Sequence, residues 1–239
     1  MSLNKSFSNK KIIILALFLS FFVTYFLTSR DSGWIKPEKG DIFTVETQYS
    51  GETYENVNAL TVSIVQLNAL QFFIVRMTQP NYENIIAPII PSSMTAGTME
   101  QSVSNAYAAV GAFTSLDENK KFNPQNIEIE NINLTAIPAK GTSAGLAYAL
   151  SLINTLNNVN IDASKKIAAS GAISENGEVL PVSGLDFKLL LAEENDVDLV
   201  FIPKNSSINT TFLSMEVVEV GSLGEAIEIL CERNYYKNC

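Results

Sequence analysis

Lys140-Gly141-Thr142-Ser143-Ala144-Gly145-Leu146 joins an extended segment, Ile127 to Ile137, to a helix whose apolar residues Leu146, Leu150, Ile153 and Leu156 recur near helical spacing. A serine flanked by small residues at a helix entrance lies among free backbone N–H groups and at the positive end of the helix dipole. Small residues at a helix start also serve plain capping and close packing, so the motif gains meaning only from its surroundings. Downstream come an apolar strand, Lys166 to Ile173, and an Asn-Gly hairpin turn at Glu175-Asn176-Gly177-Glu178, with Val179 to Val182 returning. A helix from Gly184 to Asn195, the strand Asp198 to Pro203 and a short strand Val217 to Val220 follow. Ser222 caps a terminal helix to Cys231, with Glu225 at the capping-box position.

Upstream, Ile42 to Gln48 and Leu60 to Leu67 read as strands joined by a polar turn around Gly51. Asn68 to Thr78 is apolar, and periodicity leaves helix and strand both open. Pro80 to Gly97 reads as a loop, Thr98 to Leu116 as a helix with Met99, Val103, Ala106, Tyr107 and Val110 on one side, and Asp117 to Gln125 as a charged turn. The alternation, free of internal repeats, predicts an α/β (α+β) fold: one domain over 41–232 with mixed sheets and packing helices, then a tail, 233–239.

The 239 residues are 46% hydrophobic and 17% charged, enough for one good-sized core. Residues 1–30 hold Lys5, Lys10, Lys11 and Arg30 and no acid. That leaves 12 of the 16 basic residues against all 25 acidic ones, a net of −13 beyond residue 30. Such a body is a poor partner for nucleic acid. Histidine is absent. Ser-His-Asp and Cys-His mechanisms and most zinc sites fall with it, so no metal or cofactor is expected and any activated serine needs another base.

Ile12 to Thr28 is an uncharged, predominantly apolar run behind Lys10 and Lys11, at the short end of what spans a bilayer. The lysines predict a cytoplasmic N-terminus, 1–11, a transmembrane anchor, 12–28, a linker, 29–40, and a body on the far side of the membrane. A cleaved signal peptide competes with this reading, but Leu27-Thr28-Ser29-Arg30-Asp31 lacks a small-x-small cleavage site.

Lys188 lies on the apolar stripe of its helix, three residues from Leu185 and four from Ala192. Either its stem snorkels to water, or it is desolvated with its pKa lowered so that a neutral amine serves as general base. Without histidine, a serine and a buried lysine are the remaining hydroxyl-activating pair.

With these residues in view, the chain resembles the proteolytic domain of the Lon family of Ser-Lys peptidases. Gly141-Thr142-Ser143-Ala144-Gly145 resembles that family's G-P-S-A-G, and Ile167-Ala168-Ala169-Ser170-Gly171-Ala172-Ile173 its following strand. The segment Gly177 to Lys188 is similar to the one that ends in the catalytic lysine, 45 residues beyond Ser143. Met99 to Ala112 resembles the family's M-x-x-S-x-x-x-A helix. The resemblance implies Ser143 as nucleophile, Lys188 as base and Ser170 in place of a threonine that supports the lysine. Backbone N–H groups of the Gly141, Thr142, Ser143 and Ala144 loop would hold the oxyanion. Thr142 stands where the family has proline. Neither the ATPase module of full-length Lon nor a PDZ domain is found in these residues. The expected function is therefore a membrane-anchored, ATP-independent serine endopeptidase acting on flexible or unfolded polypeptide, with homo-oligomerisation a further expectation of the resemblance. A catalytically inactive Lon-like binding or scaffold module is the alternative. A phosphate-binding loop is disfavoured by the acidic body and the missing Gly-Lys-Ser/Thr sequence. Cys231 and Cys239 are read as free or paired structural thiols.

Overall fold

A computed structural model describes residues 3–78, 87–88, 97–117, 121–123, 125–157, 165–206, 208, 210 and 213–236. Two compact units result, residues 1–38 with 64–91 and residues 39–63 with 92–239.

The first unit contains α1 (Leu3–Ser29), the start of β1 (Asp31–Tyr49), the end of β2 (Glu52–Asn68), α2 (Ala69–Thr78) and β3 (Ala87–Pro88). Residues 12–28, expected to span a bilayer, are helical within α1. Among the described residues, however, no helix is long and apolar enough to cross a membrane. The ambiguous Asn68–Thr78 segment is helical. Asn68 starts it as a side-chain cap, its Oδ1 accepting the Gln71 N–H at 2.8 Å, while the Ala69 N–H bonds the Arg30 carbonyl at 2.9 Å. Residues 31–40, expected as a linker, form the first half of β1 despite Gly33, Pro37 and Gly40. Strand pairing overrides those breakers: Trp34 and Ile35 register antiparallel with Pro88 and Ala87, and the Ser32 hydroxyl bonds the Leu67 carbonyl at 2.6 Å.

The second unit carries the rest. Ser50 and Gly51, both at positive φ, turn β1 into β2. In this unit the main sheet runs β1-β2-β5-β8-β9, with β4 (Asn133–Leu134) also paired to β1. Here β5 is Ile167–Ala169, β8 Leu199–Pro203 and β9 Glu216–Val220, and β2, β5, β8 and β9 are parallel neighbours. A separate antiparallel ribbon joins β6 (Ala172–Ile173) to β7 (Val179–Leu180).

Strand residues alternate between two cores, as the period of two demands. Ile167, Ala169, Leu199 and Phe201 face the larger one, shared with α3 (Met99–Ser115), α4 (Gly145–Leu156) and α6 (Leu223–Glu232). Ala168, Val200 and Ile202 face the smaller one, built on Leu185, Leu189 and Ala192 of α5 (Leu185–Glu194). The central strands are buried on both faces, which is why they read as continuous apolar runs. Helix boundaries follow the sequence signals: Thr98 caps α3 through the Gln101 N–H, and Ser222 caps α6 through the Glu225 N–H. In α6 the Glu225 carboxylate reaches back to the Gly221 N–H at 2.8 Å, one residue before the capping-box position.

Two expectations are corrected. Ile127–Ile137 is extended but mostly outside any strand. Only Asn133–Leu134 forms a strand, a 3-10 turn occupies Ile129–Asn131, and the Thr135 N–H bonds the Glu46 carbonyl at 3.0 Å. Lys166–Ile173 is two strands in two sheets, broken at Ser170-Gly171, because the Ser170 N–H still bonds Phe201 of the main sheet while the Gly171 N–H turns to the Ser143 carbonyl. Most of Pro80–Gly97 lies outside the described residues. Cys231 is disulfide-bonded, and Cys239 lies outside them.

Candidate active site

The approach to Ser143 has little secondary structure and is fastened by tyrosines. Tyr107 on α3 donates to the Ile132 carbonyl at 2.5 Å and accepts the Leu134 N–H at 3.2 Å. Tyr148 on α4, fully buried, accepts the Ile137 N–H at 3.0 Å and donates to the Met99 sulfur at 2.8 Å. These partners offset the cost of burying the phenol. Gly141 then turns the chain at φ +96°, a conformation that favours glycine.

Ser143 follows, half-buried, and Ala144 occupies the N-cap of α4 without a side-chain cap. Gly145 opens the helix, and it must be glycine: a Cβ there would lie 2.9 Å from the Ile173 nitrogen and 3.0 Å from that residue's Cγ2. The close approach lets the Ser143 loop zip onto the strand break. The Gly171 N–H donates to the Ser143 carbonyl at 2.9 Å, and the Leu146 N–H to the Gly171 carbonyl at 3.0 Å. Among the described residues, no hydrogen bond engages the N–H of Ser143 or of Ala144.

Ser170 is fully buried at the C-terminal end of β5, with the parity of Ala168, and so faces α5. From α5, Lys188 points inward with 1% of its surface exposed and donates from Nζ to the Ser170 Oγ at 2.9 Å. Gly184, at φ +70°, sets the entry to that helix; a Cβ there would meet the Val62 Cγ1 at 2.9 Å. Among the described residues no carboxylate pairs with Lys188. Burial alone therefore acts on it, lowering its pKa from 10.5 to about 8.

Of the residues singled out from the sequence, Ser170 and Lys188 touch directly. Ser143 is tied to them by its backbone alone, through Gly171, the neighbour of Ser170; among the described residues no hydrogen bond joins its hydroxyl to Lys188. Gly141, Thr142 and Ala144 share its loop. The arrangement offers a hydroxyl, an amine that sheds its proton near neutral pH, and two free amides at a helix start. That is the equipment for acyl transfer without histidine. Among the described residues no cluster of His, Cys, Asp and Glu is placed to hold a metal ion. Ser102, the serine of the M-x-x-S-x-x-x-A match, had been given no role from the sequence, and Asn105 of α3 had been passed over. Ser102 donates to the Thr142 carbonyl at 3.2 Å, and Asn105 to the Ile173 carbonyl at 2.8 Å. Their signal was a serine and an asparagine three apart beside the buried stripe of α3.

The family model for the Lon protease (S16) C-terminal proteolytic domain matches residues 92–223, which include α3, the Ser143 loop, Ser170 and Lys188. Lon protease of Rhizobium meliloti (strain 1021) is 31% identical over 137 residues, 54% of this chain and 17% of that relative. Lon protease of Mycoplasma mobile (strain ATCC 43663 / 163K / NCTC 11711) is 28% identical over 173 residues, 70% of this chain and 20% of that relative. Lon protease of Mesomycoplasma hyopneumoniae (strain 232) is 36% identical over 85 residues, 36% of this chain and 10% of that relative. The chain spans a fifth or less of the length of these relatives.

Proposed function

Since the chain belongs to the Lon protease (S16) proteolytic-domain family, we propose that it is a serine endopeptidase with Ser143 as nucleophile and Lys188 as general base. The observation that carries the assignment is the buried Lys188 amine, bonded to Ser170 and free of any carboxylate among the described residues. A lysine paired to an acid would stay protonated; a desolvated one is neutral within the working range of an enzyme.

Neutral Lys188 takes the proton of Ser143 as its Oγ attacks the substrate carbonyl carbon. The carbonyl π bond opens onto oxygen, and the N–H groups of Ser143 and Ala144 receive that charge. The Lys188 ammonium then gives its proton to the departing amine nitrogen, leaving an acyl-enzyme. Water, deprotonated by the same amine, releases the acid and restores Ser143. Ser170 keeps the amine aimed throughout.

The substrate class this reading favours is flexible or unfolded polypeptide, cleaved without ATP. We place the enzyme at a membrane through residues 12–28, with the catalytic unit on the non-cytoplasmic side. Support comes from Lys10 and Lys11 ahead of that run and from the exposed Phe18, Phe21 and Phe22 on it. Release of the full chain from membranes by alkaline carbonate would refute the anchor.

Activity is tested with the full chain as wild type, Ser143→Ala and Lys188→Ala, offered an unfolded fluorogenic polypeptide and a serine-directed fluorophosphonate. Cleavage and labelling are expected from wild type alone. Equal cleavage by all three would end the protease reading. A folded wild type that neither cleaves nor labels would instead identify an inactive binding module.

A further inference from the structure

We infer that Ser102 is a positioning residue for the oxyanion site, acting through the peptide plane between Thr142 and Ser143. The inference rests on the protease reading above and adds to it a residue that neither contacts substrate nor lies in the nucleophile loop.

A peptide unit is planar and trans, so its C=O and N–H point in opposite directions. Fixing one fixes the other. The Thr142 carbonyl accepts two hydrogen bonds, from the Ser102 hydroxyl at 3.2 Å and from the Gly145 N–H at 3.0 Å. The N–H on the far side of that plane belongs to Ser143. The next plane is pinned in the same way: the Ser143 carbonyl accepts the Gly171 N–H at 2.9 Å, and its far side is the Ala144 N–H. Two consecutive peptides are thus held by their oxygens, and their N–H groups are the two left unengaged among the described residues.

Gly145 and Gly171 hold their ends with backbone, which side-chain substitution does not remove. Ser102 is the one side chain in the set. It is 1% exposed on α3, and its hydroxyl would lie 3.3 Å from a Cβ on Gly145, so it sits packed between α3 and the loop. Donation to the Thr142 carbonyl also polarises that amide and strengthens the N–H opposite. One turn along, Asn105 holds the Ile173 carbonyl at 2.8 Å and so keeps the partner strand at fixed distance from the same helix.

The test is kinetic, on the full chain. Ser102→Ala is expected to lower kcat roughly tenfold, less than deletion of an oxyanion donor outright, with KM unchanged. Affinity for a peptide boronate, whose adduct places an oxygen at the oxyanion position, is expected to fall by the same factor as kcat/KM. Binding of the matching uncleavable peptide and the pH midpoint governed by Lys188 are expected to hold. A general loosening would move all four together, and that result, or an unchanged kcat, overturns the proposal. If Ser102→Ala does not fold, Ser102→Cys, slightly larger and only a weak donor, carries the same expectation. Ser143→Ala is assayed alongside. If it remains active, the protease reading falls and takes this proposal with it; if it is inert while Ser102→Ala is fully active, only the role of Ser102 falls.

Discussion

Replacing Lys188 by methionine should make the protein inactive and, at pH 7, more stable. The buried ammonium is held at a pKa of about 8 against an ordinary 10.5, so below pH 8 the folded state binds its proton against a penalty. At about 1.4 kcal/mol per pH unit, that gap amounts to about 3 kcal/mol. The unfolded chain binds the proton more readily between pH 8 and 10.5, so stability conferred by this residue rises through that window as pH increases. Methionine has a similar length and no charge, and it removes the penalty altogether. It also strands the Ser170 hydroxyl, which loses its partner at a cost of about 1 kcal/mol. The expected gain at pH 7 is therefore about 2 kcal/mol, shrinking to nothing or reversing above pH 10. Urea unfolding of oxidised wild type and Lys188→Met, followed by circular dichroism at steps from pH 6 to pH 10.5, reads the difference directly. A Lys188→Met protein equal to or less stable than wild type at pH 7, or a difference that does not change with pH, would refute the claim that burial depresses this lysine. In the proposed mechanism the same titration sets activity: kcat of the wild type should climb with pH and level off above about 8, because there only the neutral amine would take a proton from Ser143.

Two further outcomes follow from the geometry. Ser170→Ala removes the acceptor of the buried ammonium, so the midpoint of the pH–kcat profile should move below that of wild type and kcat should drop about tenfold; an unmoved midpoint would show that the hydroxyl does not support the amine. Gly145→Ala drives a methyl against the Ile173 backbone at 2.9 Å, costing about 1–3 kcal/mol in unfolding free energy and most of the activity, since the Ser143 loop must lift from the strand break; a neutral effect on both would contradict the packing described.

The sequence made the order of elements from α3 onward readable because their periods and caps are local. Ser222 and the Asn-Gly turn announced themselves, and Lys188 stood out by lying on the stripe of Leu185, Leu189 and Ala192. What stayed hidden depends on partners distant in the chain. Residues 31–40 look like a linker until β2 and β3 supply their hydrogen bonds. Lys166–Ile173 looks like one strand because Ser170 and Gly171 are as compatible with a sheet as their neighbours are; only competition between Phe201 and Ser143 for adjacent amides splits it. No period reveals that Ser170 and Lys188 meet, since they arrive from a strand end and a helix 18 residues apart. Ser102 was invisible as a site residue for a similar reason: its partner is a backbone carbonyl 40 residues away.

The two cores on opposite faces of the central strands decide when the proposed site is complete. Ser143 stands at the head of α4, over the larger core, whereas Lys188 reaches Ser170 from the helix over the smaller one. A chain that has condensed only the larger core presents a serine with no base beside it. Both layers must close before the proposed pair exists. Disengaging α5 would part Lys188 from Ser170 and at the same time uncover Ala168, Val200 and Ile202 of the smaller core.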